Sequence, residues 1–185
     1  MEWPRPTRLS PHVLCLITDG MDLDRIAFWL LRGVDFVQIR ERGLEARALA
    51  DLTRKVMALP NPHGTKILVN DRADVALACG AHGVHLRDGS VLPEAFAGLG
   101  LTISVACHSA DSVRNTRGAD LILLAPIFVP RSKAGIPLGL GELRKATGLT
   151  DIPVLALGGV TESNARECVE AGAAGVAGIS LFRMV

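Results

Sequence analysis

The feature that most constrains this chain is the regular recurrence of short apolar runs along its 185 residues. The runs are rich in β-branched residues, a composition typical of strands buried on both faces of a parallel sheet. Eight such strands are predicted, at residues 12–17, 35–39, 66–69, 83–85, 102–105, 121–124, 154–157 and 175–179.

Segments with helical spacing of apolar residues separate the predicted strands, as at 23–31, 44–59, 73–79 and 162–171. Gly33, Gly80, Gly118 and Gly172 mark helix ends. Strict alternation of strand and helix implies right-handed crossovers, and eight units allow a parallel sheet to close and lose both edges. We therefore predict one α/β domain over residues 1–185, a compact (β/α)8 TIM barrel, in preference to an open doubly wound sheet.

Two units depart from the repeat. The fourth leaves little room for a helix around residues 92–97, and the chain ends at Val185 directly after the eighth strand, so the eighth helix is expected to be short or missing. Either a partner chain covers the apolar flank, which would make the protein a homodimer, or the chain is trimmed.

Charge and composition limit the classes of partner. Lys and Arg total 20 against 19 Asp and Glu, spread along the chain for a net charge of +1, which gives no extended basic surface for nucleic acid or an anionic membrane. Residues 1–11 lack the apolar stretch of a secretory signal, and the four cysteines show no C-x-x-C spacing. The sequence thus predicts a soluble cytoplasmic protein with reduced thiols that acts on a small molecule.

Polar residues and glycines collect where the predicted strands end, and the chemistry of TIM barrels lies at that end. Every one of the eight strand ends contributes to the set, which comprises Thr18, Asp19, Gln38, Arg40, Glu41, Arg42, Asn70, Asp71, Arg72, His85, Arg87, Asp88, Cys107, His108, Arg131, Ser132, Lys133, Gly158, Gly159 and Ser180.

Some of these residues admit two interpretations. Asp71 and Asp88 suit either a helix N-cap or a metal ligand, and His108 either a local cap or a functional role. Cys107 is expected to be an inert buried thiol. Gly158 and Gly159 suit either a tight turn or a phosphate site next to a helix N-terminus, with Ser180 nearby. The arginines across the mouth suit a second anionic group, or ordinary surface charge.

An ordered series of motifs covers nearly the whole chain in one register. It comprises QIRE at 38–41, VNDR at 69–72, GVHL at 83–86, CHS at 107–109, APIF at 125–128 with Lys133, GG at 158–159 and GVA at 175–177. In combination, the series resembles the thiamine phosphate synthase and TenI family.

The resemblance implies a synthase reaction on small phosphorylated substrates. Hydroxymethylpyrimidine diphosphate loses magnesium-bound pyrophosphate, and the thiazole nitrogen captures the resulting cation. By this resemblance Arg40, Asn70 and Lys133 hold pyrophosphate, and Asp71 is a ligand of Mg²⁺. The catalytic candidates are Arg40, Lys133 and His108, and the metal candidates are Asp71 and Asp88. Gln38 would face the pyrimidine, and the other substrate-binding candidates are Arg42, Asn70, Ser132, Gly158, Gly159 and Ser180.

Several positions depart from the synthase motifs. Arg42 replaces a lysine, Ala106 replaces a serine, and residues 129–132 replace a proline and two threonines. Ser90 stands in place of the second magnesium-binding aspartate, and a hydroxyl is a poor substitute for a carboxylate toward a hard cation. Asp88, two residues away, is the candidate to serve instead.

Two alternatives follow from the same resemblance. Residues 34–42 and 88–90 look closer to TenI-type proteins, which act as metal-free thiazole tautomerases. That reaction uses a histidine where this chain has Pro126, so His108 or His85 would have to move the proton. The synthase therefore ranks first, followed by the tautomerase and by a non-catalytic binder of thiazole phosphate or thiamine phosphate.

Overall fold

The computed structural model describes residues 12–129 and 136–183. Arg131, Ser132 and Lys133 lie outside the described residues. Eight strands are present: β1 (Val13–Ile17), β2 (Phe36–Ile39), β3 (Lys66–Asn70), β4 (Gly83–Leu86), β5 (Thr102–Cys107), β6 (Leu121–Leu124), β7 (Val154–Leu157) and β8 (Gly175–Gly178). The α-helices are α1 (Leu23–Leu30), α2 (Ala46–Met57), α3 (Ala73–Cys79), α4 (Ala110–Asn115), α5 (Gly139–Thr147) and α6 (Ala165–Glu170), and 3-10 helices cover Pro93–Phe96 and Ser180–Phe182.

All eight strands pair in parallel with their neighbours in sequence, and the sheet closes where β8 pairs with β1. The predicted TIM barrel is confirmed. The boundaries differ by a few residues: β5 runs on to Cys107, β8 stops at Gly178, and α6 begins three residues later than predicted. Asp35 precedes β2, and its Oδ2 accepts a hydrogen bond from the Leu14 backbone N–H at 2.8 Å.

Alternate residues of each strand face the barrel interior, as the period of two along a strand requires. An interior cluster contains six buried side chains, Cys15, Ile17, Leu121, Leu123, Leu155 and Ala177. The opposite faces of the strands contribute to two larger clusters with the helices. In α1, for example, Ile26, Trp29 and Leu30 are buried, and Asp22 caps the helix by accepting the Arg25 N–H at 2.8 Å.

The two irregular units have the form that the sequence predicts. The fourth carries the short 3-10 helix Pro93–Phe96, beside which Val91 and Leu92 are exposed. After β8 the described chain forms only the 3-10 helix Ser180–Phe182. Phe182 is buried against Trp29, whose Nε1 donates to the Phe182 carbonyl at 2.9 Å, so this short segment covers part of the flank.

Within residues 12–129 and 136–183, no helix is both long enough and apolar enough to cross a bilayer.

Candidate active site

A cavity of about 1250 Å³ opens at the carboxyl ends of the strands. Its lining includes residues that follow β2, β3, β4, β5, β6 and β7 in the chain. The polar and charged ones are Gln38, Arg40, Glu41, Arg42, Asn70, Asp71, Arg72, His85, Arg87, Asp88 and His108. Most of the residues predicted from the strand ends therefore lie around one cavity.

Two side-chain amides at the cavity have orientations fixed by their neighbour. The Asp71 carboxylate only accepts, so Asn70 presents its Nδ2 to Asp71 Oδ2 at 3.0 Å. Asn70 Oδ1 then accepts from Gln38 Nε2 at 2.9 Å. Gln38 Oε1 is consequently left as a buried acceptor with no partner in the described chain, in a residue that is 2% exposed. A buried carbonyl oxygen without a donor is costly, so this atom calls for a donor from a ligand.

His85 of β4 is in register with Asn70 of β3 on one side and with Ser104 of β5 on the other, so it lies next to the Asn70 amide. Its Nδ1 is 2.9 Å from Ser104 Oγ, and both residues are buried. Burial, and secondarily the charge of Arg40, lowers the pKa of His85 to about 4. The imidazole is therefore neutral at physiological pH and adds no positive charge to the cavity floor.

Arg40 is held at the edge of the cavity by contacts at both its main chain and its side chain. Its backbone N–H donates to Thr18 Oγ1 at 2.9 Å, and its Nη1 lies 3.6 Å from Asp19 Oδ1. Burial and the nearby Arg42 lower the pKa of Arg40, yet a guanidinium stays protonated in proteins. Arg40 is thus a fixed cation beside Gln38, suited to an anionic substrate group.

Asp71 is not a helix N-cap. The N-cap position of α3 is occupied by Arg72, whose side chain makes no capping hydrogen bond. Asp71 precedes it and has a left-handed backbone, with φ of 57°. Its Oδ2 is 2.6 Å from Arg87 Nε, and its Oδ1 accepts from the Arg87 backbone N–H at 3.1 Å. Asp88 is exposed in the turn that follows β4. The next helix begins only at Pro93, so Asp88 is not a helix N-cap either.

The residues at this position do not fit a magnesium site made of two carboxylates. Asp71 Oδ2 already receives two donors, Asn70 Nδ2 and Arg87 Nε. The position of the second magnesium-binding aspartate is occupied by Ser90, so Asp71 is the one carboxylate of that pair present in this chain. The Arg87 guanidinium already neutralises the Asp71 carboxylate, and its positive charge would repel a divalent ion bound there. The described residues also include no group of three or more His, Cys, Asp or Glu suited to a metal.

His108 is exposed at the cavity and bonds the main chain across the next strand end. Its Nδ1 is 2.7 Å from the Ala125 carbonyl oxygen, which can only accept, so Nδ1 carries the proton. In the neutral ring Nε2 then has a free lone pair. The carbonyl partner fixes the tautomer of His108, whereas the hydroxyl of Ser104 can donate to His85 or accept from it.

The predicted inert character of Cys107 agrees with its surroundings. Its Sγ is 3.4 Å from Thr116 Oγ1, and burial raises the pKa of the thiol. Cys15 and Cys168 are more extreme, since burial raises their pKa values to about 12 and about 11. All four cysteines are free.

Gly158 and Gly159 are required by close packing. A Cβ on Gly158 would lie 2.8 Å from Pro126 Cα, and one on Gly159 would lie 2.6 Å from the Val129 carbonyl oxygen. The chain does continue from the two glycines toward a helix, but α6 begins only at Ala165, after an intervening turn. Gly158 lines the cavity, and Ser180 is exposed at the end of β8, so a phosphate site there would depend on loop amides rather than on a helix end.

The two remaining arginines at the cavity differ in whether a carboxylate already binds the guanidinium. Arg72 lines the cavity, but its guanidinium binds Asp74 through Nε and Nη2 at 2.8 and 2.6 Å. Arg42 lines the cavity and is exposed.

Sequence reasoning missed Ser104, which lies within β5 rather than at its end. Its signal is a polar residue in an apolar strand, at the spacing of two from Ala106 that places both on the interior face. Glu41 belongs to the predicted strand-end set, and the structure adds a contact that the sequence did not indicate. Its Oε2 accepts from the Gly20 backbone N–H at 2.9 Å, so it connects the ends of β1 and β2.

Fold and site together define a TIM-barrel enzyme with a cationic cavity at the carboxyl ends of its strands. Comparison with known proteins gives the particular family. Residues 14–182 match the family model TMP-TENI, thiamine monophosphate synthase, and the chain belongs to this family.

Individual relatives agree with the family. A Geobacter sulfurreducens protein named "Putative thiamine-phosphate synthase" is 43% identical over 181 residues, covering 90% of this chain and 84% of the relative. A Methanoregula boonei protein named "Thiamine-phosphate synthase" is 37% identical, covering 90% of this chain and 83% of the relative. The solved structure of thiamine phosphate pyrophosphorylase from Pyrococcus furiosus is similar at a TM-score of 0.81 and 28% identity, covering 91% of this chain and 85% of that chain. These relatives support a transferase activity of the thiamine phosphate synthase type in thiamine biosynthesis.

Proposed function

We propose that this protein joins hydroxymethylpyrimidine diphosphate to thiazole phosphate and releases pyrophosphate. The observation that carries the proposal is the buried Gln38 Oε1, which the fixed amides leave as an acceptor at the cavity. The pyrimidine substrate carries an amino group, and its N–H would supply the missing donor. Gln38 would thereby orient the pyrimidine ring between the barrel floor and the cations at the mouth.

The reaction breaks one bond and forms another. The carbon–oxygen bond between the pyrimidine methylene and the diphosphate breaks, and pyrophosphate leaves with the electron pair. The thiazole nitrogen then donates its lone pair to the methylene carbon, which gives the thiazolium product. Such a step depends on neutralising the charge of the leaving group, and Arg40 is the half-buried cation placed to do so.

The neutral His85 suits a developing pyrimidine cation. An imidazolium at the floor would oppose the positive charge that forms on the ring, whereas the buried imidazole bonded to Ser104 stays uncharged well below pH 7. Positive charge is thus concentrated at the mouth, where the leaving group would lie, and kept away from the floor.

The direct test is an assay for product. Purified protein would be incubated with both substrates in magnesium buffer, and thiamine phosphate and pyrophosphate would be measured by chromatography. We expect equal amounts of the two products. Absence of thiamine phosphate above the no-enzyme rate, from protein with a native circular dichroism spectrum, would contradict the proposal.

A thiazole tautomerase is the second candidate, and one observation favours it. The bond from His108 Nδ1 to the Ala125 carbonyl leaves Nε2 as a base beside the cavity, which could move a proton where Pro126 cannot. This candidate predicts metal-free isomerisation of the thiazole carboxylate phosphate. If His108→Ala isomerises it as fast as the parent, or if the parent shows no isomerisation, the candidate fails.

Other predictions about substrates and setting remain proposals. Thiazole phosphate would bind at the loop of Gly158 and Gly159 beside Ser180. A homodimer would cover the apolar flank beside β8 that the short 3-10 helix Ser180–Phe182 covers only in part, and light scattering after gel filtration would detect it. A cytoplasmic location and Mg²⁺ as cofactor stay predictions.

A further inference from the structure

The pair formed by Asp71 and Arg87 combines a main-chain and a side-chain contact. Arg87 Nε lies 2.6 Å from Asp71 Oδ2, and the Arg87 backbone N–H donates to Asp71 Oδ1 at 3.1 Å. Asn70 Nδ2 adds a third donor to the same carboxylate. The pair is therefore fixed at the junction of the β3 and β4 ends and does not depend on a single flexible contact.

The guanidinium of Arg87 is only partly used by this carboxylate. Its ion pair runs through Nε, and its side chain is 75% exposed, whereas the side chain of Asp71 is 19% exposed. Within the described residues both Nη groups remain available on the solvent side. A planar guanidinium with free N–H groups can bind two phosphate oxygens at once.

The other arginines at the cavity differ in their freedom. Arg72 is bound by both oxygens of Asp74, and Arg40 lies beside Asp19. Arg42 is exposed and forms no ion pair within the described residues, so no carboxylate holds it in place. Among the described arginines of the cavity, Arg87 alone combines a largely exposed guanidinium with a carboxylate that holds it, and the Ser90 backbone N–H donates to the Arg87 carbonyl at 3.1 Å. Ser90 is the position at which the second carboxylate expected for the metal is absent. The negative charge of Asp71 that a metal would use is already balanced by Arg87.

We propose that Arg87 takes the place of the divalent cation and binds the diphosphate end of the substrate directly. The proposal rests on the function proposed above, because it concerns the leaving group of that reaction. Asp71 positions the guanidinium, and the free Nη groups bind diphosphate oxygens. Binding of the diphosphate end would then persist without a divalent metal.

Inorganic pyrophosphate is the probe, since it represents the leaving group and needs no turnover. Its affinity would be measured by calorimetry for the parent in excess chelator and again with magnesium. Arg87→Ala, Arg87→Lys and the control Arg114→Ala would be measured in the same way. Arg114 is a matched exposed arginine that pairs with an aspartate on α4, and it does not line the cavity.

We expect the parent to bind pyrophosphate in chelator within threefold of its affinity in magnesium. Arg87→Ala should lose at least tenfold in chelator and lose less with magnesium, because the variant frees the Asp71 carboxylate. Arg87→Lys should recover part of the loss, and Arg114→Ala should match the parent. Pyrophosphate binding by the parent that requires magnesium, or equal affinity of Arg87→Ala and the parent in chelator, would overturn the proposal.

These outcomes are distinct from failure of the proposed function. Thiamine phosphate formation with strict magnesium-dependent pyrophosphate binding would leave the synthase in place and remove the role of Arg87. Metal-free pyrophosphate binding that depends on Arg87, in a protein that makes no thiamine phosphate, would do the reverse.

Discussion

At the scale of single residues, the cavity is organised by groups that cannot change their role in hydrogen bonding. A carboxylate accepts and a main-chain carbonyl accepts, so Asp71 fixes the amides of Asn70 and Gln38, and Ala125 fixes the tautomer of His108. The chemical character of the cavity thus follows from a few obligatory acceptors. Within the described residues, its open positions include two buried acceptors, Gln38 Oε1 and Glu41 Oε1, one lone pair at His108, and the Nη groups of Arg87.

Gln38→Leu should lower kcat/KM for the pyrimidine diphosphate by roughly 10- to 100-fold, corresponding to about 1.5–3 kcal/mol. The variant roughly keeps the size of the side chain but loses both the acceptor Oε1 and the Nε2 donor that orients Asn70. Steady-state assays that vary each substrate separately would measure the effect. Thr53→Val is the control, since Thr53 is buried on α2 and donates to the Leu49 carbonyl away from the cavity. Equal kcat/KM for Gln38→Leu and the control would show that the acceptor is not used.

His85 should make the protein less stable as the pH falls below about 6.5. The unfolded chain takes up a proton at the ordinary histidine pKa, whereas burial holds the folded pKa at about 4, so stability is lost between these values and not above them. The shift corresponds to roughly 3 kcal/mol. Urea unfolding at pH 7.5 and pH 4.5 should show a smaller pH-dependent loss for His85→Gln than for the parent, and identical losses would refute the assignment.

At the scale of elements, neighbouring strands approach so closely that some positions exclude any side chain. A Cβ on Gly175 in β8 would lie 1.9 Å from the Val13 carbonyl oxygen, and one on Gly83 in β4 would lie 2.0 Å from that of Thr102. Both glycines stand at the amino ends of their strands, and Gly175 lies where β8 pairs with β1 to close the barrel. The helical layer tolerates more variation in length than the strands do. In the fourth and eighth units a 3-10 helix stands in place of an α-helix, and Phe182 of the eighth unit packs against Trp29.

Gly175→Ala should reduce the free energy of unfolding by more than about 3 kcal/mol, because the main chain of β1 would have to move. Gly43→Ala is the matched control. Neither residue has a positive φ, and an added Cβ on Gly43 meets nothing within 4 Å. Chemical denaturation of both variants would compare them, and a loss below 1 kcal/mol in Gly175→Ala would contradict the close approach.

Phe182→Ala should cost about 3–5 kcal/mol, since it removes the buried ring that packs edge-on against Trp29 at a centroid distance of 5.0 Å. The fluorescence of Trp29 should report the change, with greater exposure of the indole to a soluble quencher. Leu31→Ala, at an exposed site after α1, serves as the control. Unchanged quenching in Phe182→Ala would mean that this segment does not protect Trp29.

At the scale of the whole molecule, the fold could be predicted from the eight apolar runs, because burial on both faces leaves a strong pattern in the sequence. The set of cavity residues could also be predicted, since all eight strands end on one side of the barrel. Their pairings could not. The bonds from Gln38 to Asn70 and from Asp71 to Arg87 depend on the register of β2, β3 and β4 and on the left-handed backbone of Asp71, which the order of residues does not specify.

The central claim is that this barrel transfers a pyrimidine group from diphosphate to a thiazole nitrogen. The most direct measurement follows thiamine phosphate and pyrophosphate together over time, in one reaction with both substrates. The structure predicts that the two products appear at the same rate in the parent and at a rate reduced at least tenfold in Gln38→Leu. Pyrophosphate released without thiamine phosphate, or no product from the folded parent, would contradict the claim.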